Sequence, residues 1–149
     1  MSAKQHATNI DEALAAIATV IQSSTGLAVR VARPAETATG LVVWPWRVVD
    51  VAALQNNTST HRATGMFTRP PVVVQVSFLL LARPAGSDAS PNQLLLAHRA
   101  LLDNPVVGES RGNFRVVAQP LSIEDLAAVF TSAQLRLSLC TNYSLQLAL

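Results

Sequence analysis

Ile10, Leu14, Ile17 and Ile21 recur at i, i+4, i+7 and i+11, the spacing of one helical face, and predict a first helix over residues 9–23. Asn9 with Glu12 suits a capping box, and Gly26 suits the stop. In "LAVRVAR" the period changes to two, with Leu27, Val29 and Val31 set against Arg30; that alternation predicts a strand with one polar face. "LVVWPWRVVDV" reads as another strand, in which Pro45 removes a backbone donor and points to a sheet edge or an internal break. Trp44 and Trp46 share a face if the strand continues through the proline.

"PVVVQVSFLLLARP" places Val72, Val74, Val76, Phe78 and Leu80 on one side, opposite Gln75 and Ser77. From Leu79 to Leu81 both sides are apolar, as in a central strand covered on both faces. "SPNQLLLAHRALLDNP" carries the signature of a helix: Ser90 as N-cap, Pro91 at the first position, Gln93 two residues later and Pro105 beyond the end. A strand "FRVVAQ" follows. Ser122 with Asp125 then opens a short helix whose expected buried stripe is Ile123, Leu126, Ala127 and Phe130.

From Leu135 to Leu149 the odd positions are apolar apart from Thr141, and the even ones from Arg136 to Gln146 are polar. This is period two over some fifteen residues, roughly 50 Å if extended, where ordinary strands hold about five or six residues. Such a strand is expected to outrun its own sheet and offer unpaired backbone to a neighbour. The pattern predicts a single α+β domain over 1–149, a mostly antiparallel or mixed β-sheet packed against about three helices, with the helices on one face.

Composition narrows the choice of function. Only 13% of the residues are charged and half are hydrophobic, against a usual charged share of about a quarter. So little charge leaves little surface for a free monomer and points to a homo-oligomer. The formal net charge is +2, too small a field to draw a polyanion, so direct nucleic-acid recognition is not expected. Ten of the eleven bases are Arg, through codon preference or through selection for planar, bidentate pairing at interfaces. The most apolar run, "VVVQVSFLLLA", spans 11 residues, short of the roughly 20 that cross a membrane. The start of the chain lacks the basic, then apolar, pattern of a secretory signal, so the chain is expected to remain cytoplasmic during assembly. A single cysteine, Cys140, excludes an internal disulfide.

The chain has no GxGxxG, GxxxxGK[ST], HExxH, GxSxG or CxxC. His6, His61 and His98 show no ligand spacing, and Cys140 has no base near it in sequence. Glu124 and Asp125 are adjacent on a helix and point about 100° apart, so they favour the helix N-terminus rather than pairing for catalysis. No enzyme activity, cofactor or metal is expected. Two readings of Trp44 and Trp46 stand: a sugar or aromatic platform, and packing in the core or against another subunit. The polar stretch "LQNNTSTHRATGMFTRPP", 18 residues long, is longer than most connections within a compact domain and reads as a functional or mobile arm.

"RPPVVVQVSFLLLAR", "NQLLLAHRALLDNPVV" and "PLSIEDLAAVFTSAQLRLSLCTNYSLQL", in that order and spacing, resemble the tail-terminator or cap protein family of contractile injection systems and contractile-tailed phages. Pro120, Leu121, Ser122, Glu124, Asp125, Leu126 and Phe130 occupy the family's "PLSxEDLxxLW" helix, with Phe130 at a position where Trp is common. Leu137, Ser138 and Tyr143 fit its "LSxxYxxxL" strand. The match is good over residues 70–149 and looser before them. The resemblance implies a ring, usually a hexamer, at the tail end furthest from the baseplate. There it would bind the last layers of tail tube and sheath and stop their polymerisation; in phages it would also face neck or head proteins. It would thus be part of a virion tail or injection particle. Some members carry a further C-terminal domain, and the expectation here is that any function housed in it is absent. Interface candidates are Trp44, Trp46, Arg47, Arg62 and Arg69 in edge and loop segments, with Arg136 and Tyr143 on the long strand. The rival readings are another tail structural protein, such as a head–tail joining or baseplate component, and a small-ligand or carbohydrate-binding module built on the two tryptophans.

Overall fold

A computed structural model of the chain describes residues 9–34, 40–51, 73–83, 90–109 and 112–148. In chain order the elements are α1 (Ile10–Thr25), β1 (Val29–Val31), β2 (Gly40–Asp50), β3 (Val73–Arg83), α2 (Ser90–Asp103), β4 (Val106–Glu109), β5 (Gly112–Ala118), α3 (Ile123–Ser132) and β6 (Cys140–Ala148). The six strands form one sheet in the order β1-β2-β3-β6-β5-β4. Only β1 and β2 run parallel; the other neighbours are antiparallel. This is the mixed-sheet α+β architecture that the periodicities predict.

α1 forms where its apolar stripe and caps agree. The Asn9 side chain accepts from the Glu12 N–H at 2.7 Å, and Gly26 closes the helix at φ 71°. Leu14, Ile17 and Ile21 are buried against one face of the sheet, together with Leu94, Ala97 and Leu101 of α2. The strands answer with Leu41, Val43, Val76, Phe78, Leu80, Phe114 and Leu145. The hairpin strand β4 was not legible in "VVGE", which is too short to show a period.

Four expectations are corrected. The helices do not share a face: α3 lies on the opposite side of the sheet, where Phe130 covers Val42, Trp44, Leu79 and Leu81. The doubly apolar stretch Leu79–Leu81 is what requires this second layer, because Leu80 faces α1 and α2 while its neighbours face the other way. The stripe of α3 is also rotated, with Leu126, Val129, Phe130 and Ala133 inward and Ile123 67% exposed. Finally, the alternating stretch is a strand only from Cys140. Gln134 takes φ 58°, and the N–H groups of Gln134 and Leu135 return to the carbonyls of Thr131 and Phe130, a Schellman-type close that reverses the chain. β6 is no free edge either, since it pairs with β3 from Val73 to Leu81 and with β5 on its other side.

Pro45 fits its place for a simple reason. β1 ends opposite Val43, so among the described residues β2 has no partner on the β1 side beyond that point, and a bulge sits between Pro45 and Arg47. At the start of β2, Gly40 has φ 93°, and a Cβ there would lie 3.2 Å from the Ala28 carbonyl oxygen. That oxygen accepts from the Leu41 N–H at 3.1 Å where β1 and β2 begin to pair. Gly40→Ala is therefore expected to destabilise the domain by about 1–2 kcal/mol, lowering the midpoint of thermal unfolding by several degrees. An unchanged midpoint would show that the positive φ is not required.

Candidate functional site

The second, thinner layer of the protein is built by α3. Ser122 caps the helix, its hydroxyl oxygen accepting from the Asp125 N–H at 3.2 Å. Glu124 and Asp125 occupy the first turn, where carboxylates suit the positive end of the helix. Phe130 meets Trp44 edge to face, with ring centroids 5.7 Å apart and planes at 73°. At the far end the Arg33 guanidinium donates to the Ala133 carbonyl, placing a cation on the negative end of the helix.

Trp46 is fixed from the same side. Its indole N–H donates to Asn142 Oδ1 at 2.9 Å, and the Asn142 amide donates to the Gln119 carbonyl at 2.9 Å. Asn142 is buried, so this pair of bonds satisfies an amide that would otherwise be costly to bury. Trp44, Pro45 and Trp46 form one wall of a shallow groove of about 430 Å³. The other wall is Ala128, Val129, Ser132 and Ala133, whose small side chains leave the space open.

The candidates fall into distinct places. Trp44 and Trp46 do share a face, and both are engaged in packing beneath α3. Arg47 follows them on the same side of the sheet, opposite Ser77, and is exposed. Arg136 is exposed just past the close of α3. Tyr143, however, is turned into the main core and is 1% exposed, because odd positions of β6 face α1 and α2. It stacks on Phe78 at 5.2 Å, accepts from the Thr141 hydroxyl at 3.0 Å and hydrogen-bonds to His98 Nδ1. Arg62, Arg69 and the polar stretch over 54–71 lie outside the described residues.

Asn142, Arg33 and Phe130 organise this layer, and only Phe130 stood out in the sequence, through its place in the α3 stripe. A lone Asn on the polar side of a strand gives no sign that its amide will be buried, and Arg33 acts on a carbonyl 100 residues away.

Burial pushes the Cys140 thiol up to about 11, which keeps it protonated and weakly nucleophilic near neutrality. Among the described residues no group of three His, Cys, Asp or Glu side chains is placed to hold a metal ion. No helix among them is long and apolar enough to cross a membrane.

The fold is shared with part of two solved proteins, a sheath/tube terminator and a tube-terminating cap. The chain superposes on the PVC sheath/tube terminator of an extracellular contractile injection system in its extended state, with TM-score 0.69 and 15% identity, covering 94% of this chain and 56% of that one. It also superposes on the anti-feeding prophage cap, a tube-terminating cap, with TM-score 0.72 and 16% identity, covering 95% and 55%. At these identities the likeness is one of fold, and this chain spans little more than half of either neighbour. No curated protein matches the sequence. Residues 7–149 match the Pvc16 N-terminal domain family, and the chain belongs to that family.

Proposed function

We propose that this domain is a structural cap: a ring-forming terminator, hexameric as in the family it resembles, that seats on the last layers of tail tube and sheath and stops both from growing. The observation that carries this reading is the agreement of fold with two terminator or cap proteins over 94% and 95% of the chain. The protonated, half-buried Cys140 offers no ready nucleophile at this layer. The protein would be made and assembled in the cytoplasm and leave as part of an injection particle or virion tail. The engaged tryptophans weigh against a carbohydrate platform, because Trp44 packs on Phe130 and Trp46 is bonded to Asn142.

The test is tube and sheath polymerisation with and without the protein. Substoichiometric protein is expected to shorten and narrow the length distribution in negative-stain images, with a density at one end of each tube. Unchanged lengths with no end-bound density would sink the reading. Binding to baseplates but not to free tube ends would instead identify another tail component.

A further inference from the structure

α3 runs across the sheet, and its two ends differ in charge. Its start follows β5, whose last residue Ala118 pairs with Tyr143 of β6, and Gln119 next to it is bonded to Asn142. Its last turn lies over Trp44 and Trp46 of β2 and is held by Arg33, just past β1. Ten residues of helix cover about 15 Å, which is about three strand spacings, the distance from β5 to β2 in this sheet. The helix thus connects opposite flanks.

At the β1–β2 flank, Arg30 pairs opposite Val42 and Arg47 opposite Ser77. Cross-strand partners share a face, so both arginines stand on the side that α3 covers. Arg136 joins them just beyond the end of α3, and all three are exposed. Val49 (38% exposed), opposite Gln75, stands on that same side, and Leu137 (49% exposed) follows Arg136; among the described residues the backbone of β2 beyond Val43 has no strand paired on the β1 side. At the β5–β6 flank the exposed charges of α3 are the carboxylates Glu124 and Asp125, beside the exposed apolar Ile123. Asp50 and Arg115 carry the minority sign on the two flanks, and neither reverses the balance. The ion pair found among the described residues is Arg99 with Asp103 on α2, remote from both patches.

We propose that copies of this chain associate head to tail, the arginine-bearing β1–β2 flank of one copy (Arg30, Arg47, Arg136) seating on the acidic start of α3 (Glu124, Asp125) of the next. Two different, complementary patches on opposite flanks make a heterologous contact, which closes into a ring when the rotation per subunit permits. The occupant is a second copy because the chain itself carries the complement of each patch in both charge and apolar character. The inference rests on the ring-forming reading and specifies the surface that would form the ring.

The test compares the mass of the full chain by light scattering over a range of protein and salt concentrations with that of E124K/D125K and R30E/R47E. The wild-type chain should oligomerise, and its association should weaken as salt rises from about 0.05 to 0.5 M. Each reversed variant should need at least about tenfold more protein to associate, with circular dichroism unchanged. Mixed in equal amounts, the two should assemble again, because each supplies the surface the other lacks and the reversed surfaces complement each other. Variants that assemble as the wild type does, or a mixture that stays dissociated, would overturn this arrangement while leaving the ring intact. A wild-type chain monomeric at every concentration would overturn it as well; the capping role is judged separately, by tube length.

Discussion

Replacing Phe130 by alanine is expected to cost the domain about 3–5 kcal/mol, the usual penalty for emptying a buried aromatic site, against a total stability of about 5–15 kcal/mol for a domain. Phe130 is 1% exposed and sits at the centre of the second layer, touching the side chains that line the sheet from Val42 to Leu81. Its edge-to-face pairing with Trp44 adds about 0.5–1.5 kcal/mol beyond area burial. The loss should be uneven. The main core of α1, α2 and the opposite sheet face contains no atom of Phe130, so the loss falls on α3 and its return segment. The measurement is denaturant unfolding followed by tryptophan emission, because both tryptophans of the chain lie under α3. The variant should show a red-shifted native emission from Trp44 and a lower midpoint. A cost below about 1 kcal/mol with unshifted emission would mean that α3 does not hold this position in solution. Loss of the layer should also weaken the proposed association of copies, since Glu124 and Asp125 stand on α3 and Arg136 follows just past its end.

Raising the pH from 10 to 12 should remove about 2 kcal/mol of stability through one residue. Burial pushes the Tyr143 hydroxyl up from 10.0 to about 12, an effect the hydrogen bond from Thr141 offsets only in part. Between those two values the folded chain keeps a proton that the unfolded chain has already released, so unfolding loses protons and becomes easier as pH rises. The contribution is fully present well below pH 10 and is lost as pH climbs through the folded value, a change of about 2 kcal/mol by pH 12. The Cys140 thiol, pushed up to about 11 by burial, acts with the same sign in a window that opens lower, from 9.0. Tyr143 is the chain's single tyrosine, so tyrosinate absorbance reports on this site alone and should appear together with the loss of structure. Tyr143→Phe is expected to flatten the decline above pH 10. At neutral pH it should cost about 1–2 kcal/mol, because His98 and Thr141 each lose a partner. Early, reversible ionisation in a fully folded chain would contradict the burial of this ring.

The cap reading and the fold fit together physically. The α3 layer touches the sheet through a few large side chains, Trp44, Trp46 and Phe130, while its outer surface and both flanks stay open. A chain so sparing of charge leaves several exposed apolar side chains on those flanks, which accords with a protein whose working surface is completed by its neighbours.

Much of this was determined by the sequence alone. Period and caps defined α1 through Asn9 and Gly26 and α3 through Ser122, because these signals are local: a side chain three residues away either does or does not reach the open N–H. The shared face of Trp44 and Trp46, the coverage of Leu79–Leu81 from both sides and the terminator family were legible for the same reason, being properties of short stretches and their order. Tertiary structure decided the rest. Periodicity says which residues share a face and is silent on what covers it, so Tyr143 reads equally well as a surface or a core residue until α2 brings His98 to it. The alternation from Leu135 to Leu139 continues that of β6, yet those residues have no ladder partner, and pairing, not pattern, makes a strand. The side of the sheet taken by α3 depends on Trp46 meeting Asn142 and Arg33 meeting Ala133, across 96 and 100 residues of chain. Contacts of that span leave no periodic trace, because each is made by a single residue whose partner is chosen only when the whole sheet has formed.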